Sequence, residues 1–299
     1  MRGRVAAVEL MLLATVVIWA FNIVVTKYVL THGFRPLAYA SVRYGVATLL
    51  FAGLTVALER TLAMRGGQTV LLLAGATVVL FANQVVFVYS LKLTTATTVA
   101  LILGTTPIFT ALTSFAVGLE RPALRFWLAA LLTFGGVALI ALGGSGRLSA
   151  DLGGNLLAIA LAATWSLYSV AIAPLMRAYS PYRISAVVLL AMSLPLVLVS
   201  VPQLGDQDYG ALGWLVWLGL AFAVVGPLVL TNVLWFTAID RVGPSRATLF
   251  ANLQPFVAAV FALLLLSETM TRLQVAGGLL IAGGILLERG RRPVAAPAE

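Results

Sequence analysis

The chain of 299 residues contains no cysteine and only one histidine, His32. Without cysteine it can form no disulfide, offer no thiolate nucleophile and bind no metal through sulfur. A single imidazole in a predicted turn gives no basis for a histidine-ligated metal centre. The sequence therefore predicts neither a metal nor a cofactor.

Charged residues are also scarce. They make up 10% of the chain, against 61% hydrophobic residues and a mean hydropathy of +1.05. A soluble globule of this size needs more polar surface, so the composition indicates a protein that lies in lipid. The net charge of +9 does not indicate nucleic-acid binding, because the basic residues lie between apolar runs rather than on one face.

No acidic residue falls in the middle of an apolar run. A proton-coupled carrier usually has a carboxylate inside the membrane, so its absence favours facilitated diffusion or exchange. Intramembrane proteolysis needs an aspartate pair, a serine with a base or a zinc site, and no such set is present, so we expect no enzymatic activity. The ten acidic residues are Glu9, Glu59, Glu120, Asp151, Asp206, Asp208, Asp240, Glu268, Glu288 and Glu299.

Ten apolar runs are long enough to cross a bilayer core, which takes roughly 20 residues per helix. If they alternate in direction, thirteen lysines and arginines lie on one side of the membrane and four on the other. Because cytoplasmic loops are enriched in these residues, both termini are predicted to be cytoplasmic. The runs are residues 7–30, 36–58, 69–90, 95–118, 124–142, 153–176, 182–202, 211–237, 244–266 and 273–288.

The stretch from Gly243 to Glu288 occurs twice. A shift of 148 positions without a gap places Pro107 on Pro255, Glu120 on Glu268, and Gly135–Gly136 on Gly283–Gly284, and a shift of 146 places Trp19 on Trp165. Five spans per copy is an odd number, so the second copy is predicted to enter the membrane from the opposite side. We predict one half at 1–146, an inverted second half at 147–288, and a basic cytoplasmic tail at 289–299.

These residues resemble a known family. Arg246-Ala-Thr, Pro255, Ser267-Glu268 and "LQVAGGLLIAGGILL" resemble the second half of an EamA domain, and residues 95–140 resemble the first. The resemblance implies the drug/metabolite transporter superfamily, an all-α membrane protein of ten transmembrane helices arranged as two inverted five-helix EamA repeats. The chain length, Trp19 with Asn22, and the aromatic content make it most similar to the YddG-type exporters of aromatic amino acids. The first copy departs from the pattern in having Thr97 and Thr98 where the second has Ser245 and Arg246.

Amide, hydroxyl and aromatic side chains recur at helical spacing inside the spans, as in Thr15, Trp19, Asn22 and Thr26. They predict either a substrate cavity or hydrogen bonds between helices. Arg43, two turns into its span, needs carbonyls, water or an anionic partner such as a substrate carboxylate, whereas Lys27 is expected to reach the interface. The predicted substrate-binding residues are Trp19, Asn22, Arg43, Asn83, Phe87, Trp165, Tyr168, Asn232, Trp235 and Asn252.

Pro107 and Pro255 are predicted to interrupt their helices, because proline lacks an N–H and frees the carbonyl four residues earlier. Each is a candidate flexing point for gating or else a static kink. The glycine clusters at Gly135–Gly136 and Gly277–Gly284 are expected to allow close helix packing.

The leading hypothesis is a carrier in a bacterial-type inner membrane that exports small amphipathic metabolites, amino acids including aromatic ones, by alternating access. Its partners are then the small-molecule substrate and membrane lipids, with the oligomeric state open and a monomer included. One alternative is a carrier of nucleotide sugars or other phosphorylated metabolites. Such a substrate needs several cationic side chains in the cavity, and the spans supply only Lys27 and Arg43. The alternative outside transport is a membrane scaffold or lipid scramblase.

Overall fold

The computed structural model describes residues 2–116, 124–143, 148–172, 174–231, 234–235, 237 and 253–288. Within these ranges it contains eleven α-helices and no strand. The helices are α1 (Arg2–Thr31), α2 (Pro36–Glu59), α3 (Gly67–Leu93), α4 (Ala96–Leu103), α5 (Thr106–Ala116), α6 (Leu124–Leu142), α7 (Leu148–Ile172), α8 (Pro181–Gly205), α9 (Trp214–Val224), α10 (Gln254–Leu265) and α11 (Arg272–Glu288). A 3₁₀ turn covers Leu175–Arg177 and a π-helix covers Val225–Leu230.

Five helical segments of the described chain are long and apolar enough to cross a membrane. They are Val8–Thr31, Pro36–Glu59, Gly67–Leu93, Leu152–Ile172 and Tyr182–Gly205. Shorter apolar helices cover Trp127–Gly136, Trp214–Leu230 and Phe256–Leu265. The all-helical membrane architecture expected from the composition is therefore confirmed.

Both prolines expected to kink a continuous helix instead lie in the first turn of a helix. The predicted span 95–118 is two helices, because α4 ends at Leu103 and α5 begins at Thr106, just before Pro107. The Leu103 carbonyl accepts a hydrogen bond from the Thr106 hydroxyl at 2.6 Å, which satisfies the acceptor that a proline leaves free. Pro255 likewise follows the first residue of α10. Proline has no N–H to lose at such positions, so it favours a helix start.

Helices α2 and α8 are antiparallel and are joined along their whole length. At one end the Leu37 N–H donates to Gln203 Oε1 at 2.8 Å, and at the other the Thr55 hydroxyl donates to the Tyr182 carbonyl at 3.3 Å. Ion pairs close both ends: Arg35 with Asp206 at 3.0 Å, and Arg183 with Glu59 at 2.8 Å. The second pair is the better shielded, with side chains about one fifth exposed.

Helices α6 and α11 are also antiparallel and touch through glycine. A Cβ built on Gly136 would lie 2.5 Å from the Gly277 carbonyl oxygen, and one built on Gly284 would meet Thr133 and the Ala129 carbonyl. Gly135 and Gly283, their chain neighbours, have nothing within 4 Å. One glycine of each pair therefore allows the close approach expected from the sequence.

Glu268, in the turn between α10 and α11, binds the start of α4. Its two carboxylate oxygens accept hydrogen bonds from the backbone N–H groups of Ala96 and Thr97, both at 2.9 Å. These N–H groups have no partner within the helix, and a negative charge at a helix N-terminus is stabilising. A residue of the second half of the chain thus fixes a helix of the first half.

Candidate functional site: a polar region inside the helix bundle

Trp19 of α1 is bonded to the π-helical segment that follows α9. Its indole N–H donates to the Thr231 hydroxyl at 2.7 Å and lies 3.4 Å from the Pro227 carbonyl oxygen. The ring of Trp235 packs against it with centroids 5.1 Å apart. The π-helix, a form often found at functional sites, therefore carries the Pro227 contact, and Thr231 directly follows it.

Asn22 lies one turn further along α1. Its side chain is 7% exposed, and its Oδ1 has no hydrogen-bond partner. Leaving a buried polar group unpaired costs about 1–3 kcal/mol, so this oxygen is suited to accept a bond from water or a ligand.

Arg43 of α2 is 3% exposed and is surrounded by aromatic rings. Its guanidinium carbon lies 5.4 Å from the ring centre of Tyr44, 5.7 Å from that of Phe87 and 6.0 Å from that of Tyr39. Its Nε donates to the Ala223 carbonyl at 3.1 Å. The ion pairs of the described residues do not include Arg43, so in that part of the chain its charge is met by a carbonyl and by π faces.

Asn22 and Arg43 are each four residues from a contact between α1 and α2. Helices α1 and α2 run in opposite directions, and the hydroxyl groups of Thr26 and Tyr39 are 3.1 Å apart. Asn22 precedes Thr26 by four residues and Arg43 follows Tyr39 by four, so both lie about 6 Å along their helices in the same direction from this contact.

Asn83 of α3 is used within the bundle. Its Nδ2 donates to the Leu161 carbonyl at 3.0 Å and to the Thr164 hydroxyl at 2.9 Å, while its Oδ1 accepts from Gln84 at 2.9 Å. It joins α3 to α7, which corresponds to the hydrogen-bonding alternative weighed for these side chains.

Trp165 of α7 is 40% exposed although its helix face points into the bundle. The residues three and four positions before it, Ala162 and Leu161, and the residue three after it, Tyr168, are all buried. Its ring contacts Tyr168 with centroids 5.7 Å apart. Exposure on a face whose neighbouring residues are buried makes Trp165 the candidate on α7 for a position beside an opening between helices.

The structure places six of the predicted residues in three contacting pairs. Trp19 contacts Trp235, Arg43 contacts Phe87, and Trp165 contacts Tyr168. Asn232 and Asn252 lie outside the described residues, and for Pro107 and Pro255 only the backbone is described. Among the described residues no group of three or more His, Cys, Asp or Glu could hold a metal ion.

Lys27, expected to reach the interface, bonds to the end of a neighbouring helix. Its Nζ donates to the carbonyls of Leu91 and Thr94, at 2.8 and 2.7 Å, at the C-terminal end of α3. Carbonyls at a helix C-terminus attract cations, which explains the position of this lysine beside the end of α3. No sequence pattern marks Gln203 or Glu268 as a link between helices, because their backbone partners lie more than 150 residues away along the chain.

A helical bundle with apolar spans and buried polar side chains is the architecture of a helical membrane protein. The sequence profile of the EamA-like transporter family matches residues 6–142 and again residues 152–288. The chain therefore belongs to the EamA-like transporter family.

Its relatives are also described as transporters. YdfC of Bacillus subtilis (strain 168), an uncharacterized transporter, is 29% identical over 198 residues, 65% of this chain and 62% of that protein. YyaM of the same organism is 26% identical over 203 residues, 67% and 66% of the two chains, so this chain spans less than two thirds of both relatives. An uncharacterized transporter of Archaeoglobus fulgidus is 26% identical over 294 residues, 95% of this chain and 98% of that protein.

A solved structure described as "Crystal structure of protein" has the same fold. It aligns with a TM-score of 0.65 and 20% identity over 95% of this chain and 98% of that one. At this identity the likeness concerns the fold alone.

Proposed function

We propose that this transporter exports small amphipathic metabolites, amino acids including aromatic ones, by alternating access. The observation that carries the proposal is Arg43, a buried cation held among aromatic rings and bonded to a single carbonyl. An amphipathic molecule could place its anionic group at the guanidinium and its apolar part against the rings. Tyr44, Phe87 and Trp165 supply the apolar and aromatic surface in this proposal.

The proposed architecture is ten transmembrane helices in two inverted halves, residues 1–146 and 147–288. Two contacts support it. A shift of 148 positions along the sequence aligns α2 approximately with α8 and α6 with α11. In the structure the two helices of each pair are antiparallel neighbours. A two-fold axis in the membrane plane produces that relation, and binding sites in such carriers lie between the halves.

We further propose a bacterial-type inner-membrane location with both termini and the tail 289–299 in the cytoplasm. The distribution of arginine and lysine in the loops supports this orientation. Transport would be facilitated diffusion or exchange, because the buried polar residues of the described chain include no carboxylate. Export and the likeness to YddG-type carriers rest on the resemblance of the sequence.

The alternative cargo is a nucleotide sugar or another phosphorylated metabolite. Such a substrate would favour several cations at the site. Arg43 is the one arginine or lysine that is buried among the described residues, and Lys27 is bonded to two carbonyls. This charge distribution favours a substrate with a single anionic group.

Counterflow in proteoliposomes tests the proposed function. Purified protein is reconstituted with unlabelled amino acid inside, and entry of the labelled amino acid is measured for phenylalanine, leucine, alanine and a sugar phosphate. We expect faster entry of phenylalanine and leucine than in protein-free liposomes, with no dependence on an imposed pH gradient. An intact protein that moves only the sugar phosphate, or none of these compounds, would reject the amino-acid assignment.

A further inference from the structure

We propose that Asn22 and Arg43 form a two-point site that selects zwitterions, with the carboxylate at Arg43 and the ammonium group at Asn22. The inference rests on the proposed function and specifies the chemistry of its substrate. It goes beyond that function because it names the residue that binds each of the two opposite charges.

The Arg43 end requires an anion. A guanidinium has five N–H donors, and the hydrogen bond from its Nε to the Ala223 carbonyl uses one of them. The rings of Tyr39, Tyr44 and Phe87 lower the energy of the cation through their π faces, and among the described residues the hydrogen bonds of the Arg43 side chain include only the one to Ala223. A planar carboxylate fits that fork with two parallel hydrogen bonds and neutralises the buried charge.

The Asn22 end requires a donor. Its Oδ1 is buried and has no partner, whereas the Asn83 and Asn155 side-chain oxygens each accept a hydrogen bond. An ammonium group is a strong donor with three N–H bonds, and a bond from a charged donor is stronger than one from water or a neutral amide. The unpaired oxygen of Asn22 is therefore the complement of the cationic end of a zwitterion.

Both ends lie one helical turn from the same contact between α1 and α2. From the hydroxyl contact of Thr26 with Tyr39, Asn22 and Arg43 are each four residues away in the same direction, and in this proposal one molecule spans them. The α-amino and carboxylate groups of an amino acid are neighbours on one carbon, so the side chain remains free to lie against the aromatic rings. A substrate with only one charged group would leave one of the two ends unpaired.

Binding of three matched ligands tests this inference. Phenylalanine carries both charged groups, 3-phenylpropionate lacks the ammonium group, and phenethylamine lacks the carboxylate. Titration calorimetry of the purified chain is expected to give a dissociation constant for phenylalanine that is lower by about 10-fold or more than those of both analogues, the size expected for one charge-assisted hydrogen bond.

Two substitutions should separate the ends. Arg43→Gln should abolish the preference for phenylalanine over phenethylamine and retain the preference over phenylpropionate. Asn22→Leu should abolish the preference for phenylalanine over phenylpropionate and retain the preference over phenethylamine. Asn22→Asp should increase the preference for the ligands that carry an ammonium group. Thr15→Val, on the same face of α1, removes a hydroxyl bonded to the Met11 carbonyl and should change neither ratio.

The outcomes also separate this inference from the proposed function. Equal dissociation constants for the three ligands in a chain that transports phenylalanine would overturn the two-point site and leave the transport proposal in place. The two-point site would also be overturned, with the transport proposal left in place, if each substitution reduced the preferences over phenethylamine and over phenylpropionate equally. A chain that neither binds nor transports phenylalanine or leucine overturns both. Should Arg43→Gln fail to fold, Arg43→Lys keeps the charge without the fork and is expected to lose part of the preference over phenethylamine.

Discussion

At the scale of single residues, three asparagines inside the bundle have different environments although the sequence presents them alike. Asn83 and Asn155 are bonded to neighbouring helices, while the oxygen of Asn22 is unpaired. The sequence predicts that such amides are buried, because facing lipid would be costly. It does not reveal which of these amides have hydrogen-bond partners. The partners of Asn83 lie about 80 positions away along the chain, and its hydrogen bonds depend on the packing of α3 against α7.

Asn83 and Asn22 should therefore respond differently to substitution. We expect Asn83→Leu to lower the free energy of unfolding in detergent by about 1–3 kcal/mol, because the acceptors on α7 and the Gln84 donor lose their partner. Asn22→Leu removes an unpaired oxygen and is expected to leave thermal stability unchanged or to raise it. Equal losses of melting temperature in the two variants would contradict the hydrogen bonding described for both residues.

At the scale of helices, the pattern predicts where apolar elements lie better than where they break. The run 124–142 coincides with α6, whereas the run 95–118 is divided at Gly104–Thr105 into α4 and α5. A proline inside an apolar run indicates a break, but whether it bends a helix or begins a new one depends on what the freed carbonyl bonds to, here the Thr106 hydroxyl. The π-helix at Val225–Leu230 contains Pro227, which has no backbone N–H, and its carbonyl oxygen lies 3.4 Å from the Trp19 indole nitrogen.

The contact between α6 and α11 gives a prediction with controls beside each test position. Gly136→Ala and Gly284→Ala place a methyl group against backbone atoms of the other helix, so we expect losses of about 1–3 kcal/mol, typical of overpacking. Gly135→Ala and Gly283→Ala enter open space and should be neutral or slightly stabilising, because alanine favours helix. Melting temperatures of the four purified variants check this, and equal effects within each pair would contradict the proposed packing.

At the scale of the whole molecule, the helical membrane class and the family follow from composition and from the duplicated motif. The sense in which the halves cross the membrane gives a separate prediction. The turn at Arg65 is bonded to Tyr179, and Arg35 is paired with Asp206, so the loops of the two halves meet at two ends of the bundle. The first contact joins the loop between α2 and α3 to the loop between α7 and α8. The second joins the loop between α1 and α2 to the loop between α8 and α9. If the halves are inverted, the two loops of each joined pair lie on the same side of the membrane.

Cysteine labelling checks this arrangement, because the natural chain contains no cysteine. An impermeant maleimide added to intact cells is expected to label His32→Cys and Ala211→Cys. Ala63→Cys and Ala178→Cys should react only after the membrane is opened. All four positions belong to the connections between helices, so the substitutions leave the spans intact. Labelling of Ala63→Cys and Ala178→Cys from opposite sides would contradict the inverted arrangement.

The central claim is that the bundle encloses a water-filled site for its substrate, and α7 offers a direct measurement of it. Trp165 and Leu167 are similarly exposed, at 40% and 46%, but Trp165 shares its face with the buried residues Ala162 and Tyr168. We predict that a water-soluble maleimide modifies Trp165→Cys in proteoliposomes and that phenylalanine slows the reaction, while Leu167→Cys, facing lipid, does not react. Equal behaviour of the two variants, or reaction of Leu167→Cys alone, would contradict the account.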